Sequence, residues 1–157
     1  MVDRSSFPKG FKVTKKEVSQ KFNMKTMTKG HIKNKTYVEN KDEIMDKFVE
    51  KAIDTINKRT VVKSLDFEGS KFTKYSPEYA KSKGSKKVNM IKDNYMLASI
   101  EEGETTQTNT LKVKLGDDQT LKGYNHMVGD TLPRRSFFGL SEKEKSKIVS
   151  DIAKDYD

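Results

Sequence analysis

Cysteine is absent from this chain. Disulfides, thiolate nucleophiles and thiolate metal ligands are therefore excluded. Histidine is scarce, with His31 and His126 the two present, and neither sits at a spacing that suggests metal binding. No apolar run approaches the roughly 18 residues that a membrane span needs. The opening MVDRSSFPKG lacks the apolar core of a secretory signal. These absences predict a soluble protein, made in the cytoplasm and without membrane contact. Apolar residues supply 32% of the chain and charged residues 35%. That balance is polar for a compact domain, so part of the chain is expected to order only in an assembly.

What the chain has is lysine, unevenly spread. Its 157 residues carry a net charge of +9 and suit one domain. Residues 1–40 hold ten Lys/Arg against three Asp/Glu, whereas residues 41–157 are close to balanced at 22 against 20. The basic character thus belongs to the N-terminal stretch. Residues 1–38 read as an extended arm that is partly disordered or ordered on assembly, and residues 39–157 as a single α+β domain. Within the arm, Lys9, Lys12, Lys15 and Lys16 are candidate phosphate contacts. The scattered Phe7, Phe11 and Phe22 favour binding to a neighbouring subunit over binding to phosphates. Thr14 and Glu17 match a capping box, which predicts a short helix over 14–22.

Residues 40–58 give the clearest helix of the first half. Asn40 and Glu43 can form a capping box. Ile44, Phe48, Ala52 and Ile56 recur every four residues, with Met45, Val49 and Ile53 beside them. This broad apolar face must cover something, most simply a sheet. The β-branched run 60–65 reads as extended. Residues 66–87 read as a long ordered loop, with Ser76 capping a helical turn that begins at Pro77. Lys81, Lys83, Lys86 and Lys87 form a basic tip, a second candidate for phosphate contact. Residues 89–100 read as a short helix. Residues 105–107 and 110–115 read as strands, the latter alternating Leu111, Val113 and Leu115 with lysines. Residues 101–103 open a hairpin, and 119–124 suggest one more strand. Ser141 and Glu144 form a capping box for a last helix over 142–155, striped by Ile148, Val149, Ile152 and Tyr156.

The densest local information lies in residues 121–141, LKGYNHMVGDTLPRRSFFGLS. Gly123 and Gly129 permit tight backbone near Tyr124 and His126. Pro133 keeps the residue before it extended. In an extended segment Arg134 and Arg135 point in different directions. One is then available for an ion pair within its own subunit, and the other reaches outward. Phe137 and Phe138 are candidates for core and interface.

This stretch resembles the C-terminal signature of the phage virion morphogenesis proteins, the Mu-like tail completion family. A P-x-R-x-F-x-G-L-S run precedes that family's last helix. Here it is matched by Pro133, Arg135, Phe137, Gly139, Leu140 and Ser141. Tyr124, His126 and Gly129 resemble its Y-x-x-H-x-x-G approach, with one residue fewer between Tyr and His. Phe72, Tyr75, Ser76, Pro77, Tyr79 and Ala80 resemble its F-x-x-L-S-P-x-Y-A loop, with Tyr75 in place of Leu. Met96, Ser99 and Ile100 resemble its M-x-x-S-I helix end. The pieces keep their order over roughly residues 42–157. The family's usual Trp before the S-P loop is missing, and residues 1–38 look like an addition.

The resemblance implies a mainly antiparallel sheet against a long amphipathic helix. It implies a structural role at the phage head–tail junction, in the virion neck, after assembly in the host cytoplasm. The implied partners are further copies in a ring, a portal or head-closure adaptor, a tail terminator or tail tube protein, and DNA in the channel without sequence preference. Phe7, Phe11, Phe22, Tyr75, Tyr79, Arg134, Arg135, Phe137 and Phe138 are the expected subunit contacts.

No catalytic constellation competes with this. Asp117 and Asp118 follow Gly116 in a turn that matches no calcium loop, and no glycine-rich phosphate loop occurs. Ser76 and Ser141 are explained by capping. His126 reads as a structural hydrogen-bonding residue. The expectation is a non-enzyme without cofactor. The alternative is a small basic nucleic-acid-binding protein. It lacks aromatic residues interleaved with lysines at strand spacing, as a stacking platform would require.

Overall fold

The computed structural model describes residues 7–84, 94–129 and 133–156. Within them the chain is mixed α+β, around one antiparallel sheet of four strands. The strands are β1 (Phe11–Val13), β2 (Val18–Asn23), β3 (Glu101–Gly103) and β4 (Thr110–Lys114). Their spatial order is β1-β2-β4-β3, and every neighbouring pair is antiparallel. The helices are α1 (Met24–Thr28), α2 (Asn34–Glu39), α3 (Lys41–Lys58), α4 (Pro77–Lys83), α5 (Asn94–Ala98), α6 (Thr120–Val128) and α7 (Glu142–Ala153).

The sheet shows one apolar and one polar face, as strand alternation requires. Val13, Val18, Phe22, Leu111, Val113 and Leu115 are buried on the inner face. Lys12, Lys21, Lys112 and Lys114 stand on the other, with Lys112 paired to Glu17 at 3.3 Å. The predicted stripe of α3 is what packs onto the sheet. Ile44, Phe48, Ala52 and Ile56 are all buried, and the Phe22 and Phe48 rings meet at 5.0 Å. Burial of a side chain of this size stabilises by about 1.5–3 kcal/mol. Helix α7 lies along α3 and buries Ile148, Val149 and Ile152.

The N-terminal stretch departs from the expected arm. From Phe11 onward it supplies two of the four strands, and Val13, Val18, Phe22, Met24, Ile32 and Tyr37 belong to the common core. The helix expected over 14–22 is a hairpin instead. Thr14 Oγ1 accepts the N–H groups of Lys16 and Glu17 at 3.2 and 3.0 Å, closing a turn in place of a helix N-terminus. Pairing with β4 outweighs the local signal, because Val18, Gln20 and Phe22 alternate onto the inner face.

Four smaller expectations also change. Residues 60–65 do not extend: α3 runs on into a π-helical turn (Arg59–Lys63), ended by Ser64 in the left-handed conformation at φ 54°. Residues 119–124 are not a strand. Thr120, Gly123, Tyr124, Met127 and Val128 are buried at helical spacing in α6, and a Cβ at Gly123 would lie 2.1 Å from Leu115. Residues 105–107 lie in the loop between β3 and β4. Asn40 makes no side-chain cap for α3; its Nδ2 donates to Thr36 O at 2.9 Å and closes α2.

Other features stand as read. Ser76 Oγ accepts Tyr79 N–H at the start of α4. Leu111, Val113 and Leu115 are buried. The Ser141–Glu144 capping box is complete. The short helix expected over 89–100 is described from Asn94 onward, and residues 89–93 lie outside the described part.

Candidate assembly surface

Residues 133–141 cross the molecule as an irregular segment tied down on several sides. The Gln20 side chain acts as an extra peptide group: its Nε2 donates to Leu140 O at 3.1 Å, and its Oε1 accepts Leu140 N–H at 2.8 Å. Arg59 lies 5% exposed at the end of α3. Its Nη1 bonds both oxygens of Glu144, at 2.7 and 2.9 Å, and Gly139 O at 3.0 Å. Its Nη2 reaches Phe137 O at 2.5 Å and its Nε reaches Leu65 O at 3.3 Å. Glu144 also accepts Ser141 N–H at 3.0 Å in the capping box. One buried cation therefore joins three parts of the chain, and its charge and donors are matched within the fold.

This anchoring decides where the two adjacent arginines go. Arg135 turns to the 66–84 loop, where its Nε donates to Thr73 O at 2.9 Å and its Nη2 to Lys74 O at 3.2 Å. Its guanidinium lies 4.8 Å from the centre of the Tyr75 ring, and Tyr75 lies 4.6 Å from Tyr79. Burial holds the Arg135 pKa below its ordinary value. Arg134 turns the other way. It covers the Phe7 ring at 4.8 Å and donates to Ser136 Oγ at 2.9 Å. Phe7, Phe11 and Phe67 complete that side, with ring centres 5.0–6.5 Å apart. Expected as one inward and one outward arginine, both find partners in their own chain. The backbone agrees with this division, because Phe67 N–H donates to Ser136 O at 3.0 Å and Arg135 N–H to His126 O at 2.8 Å.

A band of aromatic rings and arginines results, half-buried except at Arg135, which is 6% exposed. It runs from Phe7, Phe11 and Arg134 to Arg135, Tyr75 and Tyr79, and unites six of the nine expected contact residues. Phe22, Phe137 and Phe138 do not join it. Each is at most 3% exposed inside the core, out of a neighbour's reach, which corrects their assignment to an interface. Gly139 lies against Phe11, where a Cβ would approach the ring within 2.4 Å at a φ of +121°. Tyr124 and Leu140 are core residues as well. His126 is buried and sits edge-on to Phe137. Pro133 is exposed at the head of the segment. Gly129 ends α6 with positive φ, and a Cβ there would clash with Arg134.

The lysines fall on separate elements. Lys9, Lys12, Lys15 and Lys16 are exposed along the β1–β2 hairpin and Lys81 is exposed on α4. Lys83 belongs to α4, and Lys86 and Lys87 lie outside the described residues. Sequence reasoning missed Gln20 and Arg59. Buried polar residues carry no periodic signal, so nothing local marks Gln20 or Arg59. Among the described residues no cluster of His, Asp or Glu could hold a metal ion, and no helix is long and apolar enough to cross a membrane.

No protein-family model, no curated protein and no solved structure matches this chain.

Proposed function

We propose that this chain is a structural subunit of a phage head–tail junction. It works by assembly: copies form a ring in the virion neck, between the portal side and the tail, and DNA passes through. One observation carries the reading. The two motif pieces that suggest the family, F-T-K-Y-S-P-E-Y-A and P-R-R-S-F-F-G-L-S, are far apart in sequence yet meet at Arg135, which binds the Thr73 and Lys74 carbonyls and lies over Tyr75. Shared motifs that meet at one junction are what a common architecture would need. Aromatic residues and arginine are also enriched at the cores of protein interfaces, and the band offers both at the surface.

The chain is read as a non-enzyme, with a portal or head-closure adaptor on one side and a tail terminator or tail tube protein on the other. The exposed lysines of the β1–β2 hairpin favour a second reading, sequence-independent binding of nucleic acid. Cryo-electron microscopy of phage particles that carry the chain tests the first. The expected result is a ring of these subunits between portal and tail. Particles without the chain, and a purified protein that binds duplex DNA with steep salt dependence, would replace it with the second.

A further inference from the structure

The two outer edges of the sheet differ in charge. At one edge stands β1, flanked by exposed Lys9, Lys12, Lys15 and Lys16. At the other stands β3, whose Glu101 and Glu102, with Glu104 just beyond, are all exposed. Among the described residues each edge strand has one ladder partner, β2 for β1 and β4 for β3. We propose that copies of this chain join head to tail through these edges, the basic β1 edge of one copy against the acidic β3 edge of the next. This deepens the ring reading given above, and names its contact.

Strand direction supports it. The order β1-β2-β4-β3 is antiparallel throughout, so β1 and β4 run one way while β2 and β3 run the other. If the next copy keeps the same orientation, its β1 meets β3 antiparallel, and the alternation continues across the junction. The cross-strand row also continues. Lys12, Ser19, Lys114 and Glu101 are successive partners, so Glu101 at the end of one row faces Lys12 at the start of the next.

Backbone groups are available on both sides. On β1 the bonds to β2 fall at Gly10 and Thr14, so alternation turns the Phe11 and Val13 carbonyls to the open edge. On β4 the bonds to β2 fall at Asn109 and Leu115. The same alternation gives Lys112 and Lys114 to β3 and turns the Glu102 N–H outward.

Charge sets the mode of association. Pairing β1 with β1 would oppose lysines and pairing β3 with β3 would oppose glutamates, and like charges directly opposite destabilise a sheet. Opposite edges attract, which makes the contact heterologous, and heterologous contacts close into rings when the rotation allows. Both strands have only three residues, so the ladder is short and the charges supply much of the selectivity.

The absence of native cysteine allows a direct test on the purified full chain. A variant with Lys12→Cys and Glu101→Cys together should give, under mild oxidation at low salt, a ladder of disulfide-linked species beyond the dimer. Either substitution alone should stop at dimers or monomers. A second measurement uses charge, with mass read by analytical ultracentrifugation. The variant K12E/K15E/K16E and the variant E101K/E102K/E104K should each stay monomeric, while an equal mixture of the two associates. A double-cysteine variant that yields no species beyond the dimer overturns the proposal, as does a mixture that stays monomeric. The two readings fail separately: a ladder from a chain missing from phage particles keeps the edge contact and discards the neck, and a neck ring from a chain without a ladder does the reverse.

Discussion

Residues 14–17 and 141–144 each begin with a hydroxyl residue and end in glutamate, and in both the hydroxyl accepts the glutamate N–H, at 3.0 and 3.2 Å. The outcomes differ. At Ser141 the Glu144 carboxylate returns to the Ser141 N–H, and a helix follows. At Thr14 the backbone N–H donates to Glu17 O at 2.9 Å, and a strand follows. The Glu17 carboxylate turns aside to Ser19 Oγ at 2.6 Å and to Lys112. What comes next in the chain decides between them. After Glu144 the apolar residues Ile148, Val149 and Ile152 follow a helical period. After Glu17, Val18, Gln20 and Phe22 alternate. The hydroxyl bond stabilises a tight reversal in either case, and tertiary pairing selects which one.

The largest test of this comparison is Phe22→Ala. If the hairpin is part of the core, as its 3% exposure indicates, the substitution costs about 3–5 kcal/mol in urea unfolding. A change within about 0.5 kcal/mol, the usual range of surface substitutions, would return residues 14–22 to the role of an arm. The two hydroxyls give a smaller, paired effect. Ser141→Ala should cost about 1 kcal/mol as a lost N-cap, with faster amide exchange at Glu144 and some loss of helical circular dichroism. Thr14→Ala should cost about 0.5–1.5 kcal/mol as a lost hydrogen bond. It should speed exchange at Lys16 and Glu17 and leave the helical signal unchanged. A helical loss in Thr14→Ala would break the distinction between the two stretches.

The same contrast marks what the sequence makes legible. Helices α3 and α7 and strand β4 were readable because their apolar period is strong and their burial follows it. The α4 cap was readable because Ser76-Pro77 is a local device. The hairpin was hidden by lysine-rich composition, since the residues that join it to the sheet are few and one of them, Gln20, is polar. Helix α6 was hidden by Gly123, which looks like a turn residue until Leu115 is seen to need its space. At the candidate surface Tyr75, Tyr79 and the two arginines were visible as residues. Their divergence was visible too, since neighbours in an extended segment point apart; their partners, Phe7 for Arg134 and the Thr73 and Lys74 carbonyls for Arg135, were not, because these come from distant parts of the chain.

The smallest effect lies in pH, and it separates the two edges of the sheet. Glu17 beside β1 has its pKa lowered, first by the Ser19 hydroxyl and then by Lys112. Its contribution to stability is therefore present above the ordinary glutamate value of about 4.3 and is lost as pH falls through the lower folded value. Glu102 in β3, though exposed, has its pKa raised, first by partial desolvation of its carboxyl and then by Asp46. The sign reverses: stability is greatest below the ordinary value and declines as pH rises through the raised one. Glu17→Gln should flatten the acid side of a plot of unfolding midpoint against pH, while Glu102→Gln should flatten the opposite slope just above it. If both variants moved the curve in the same direction, the hydrogen bonds that hold Glu17 charged and the desolvation that opposes charge on Glu102 would not act with opposite sign as their surroundings require.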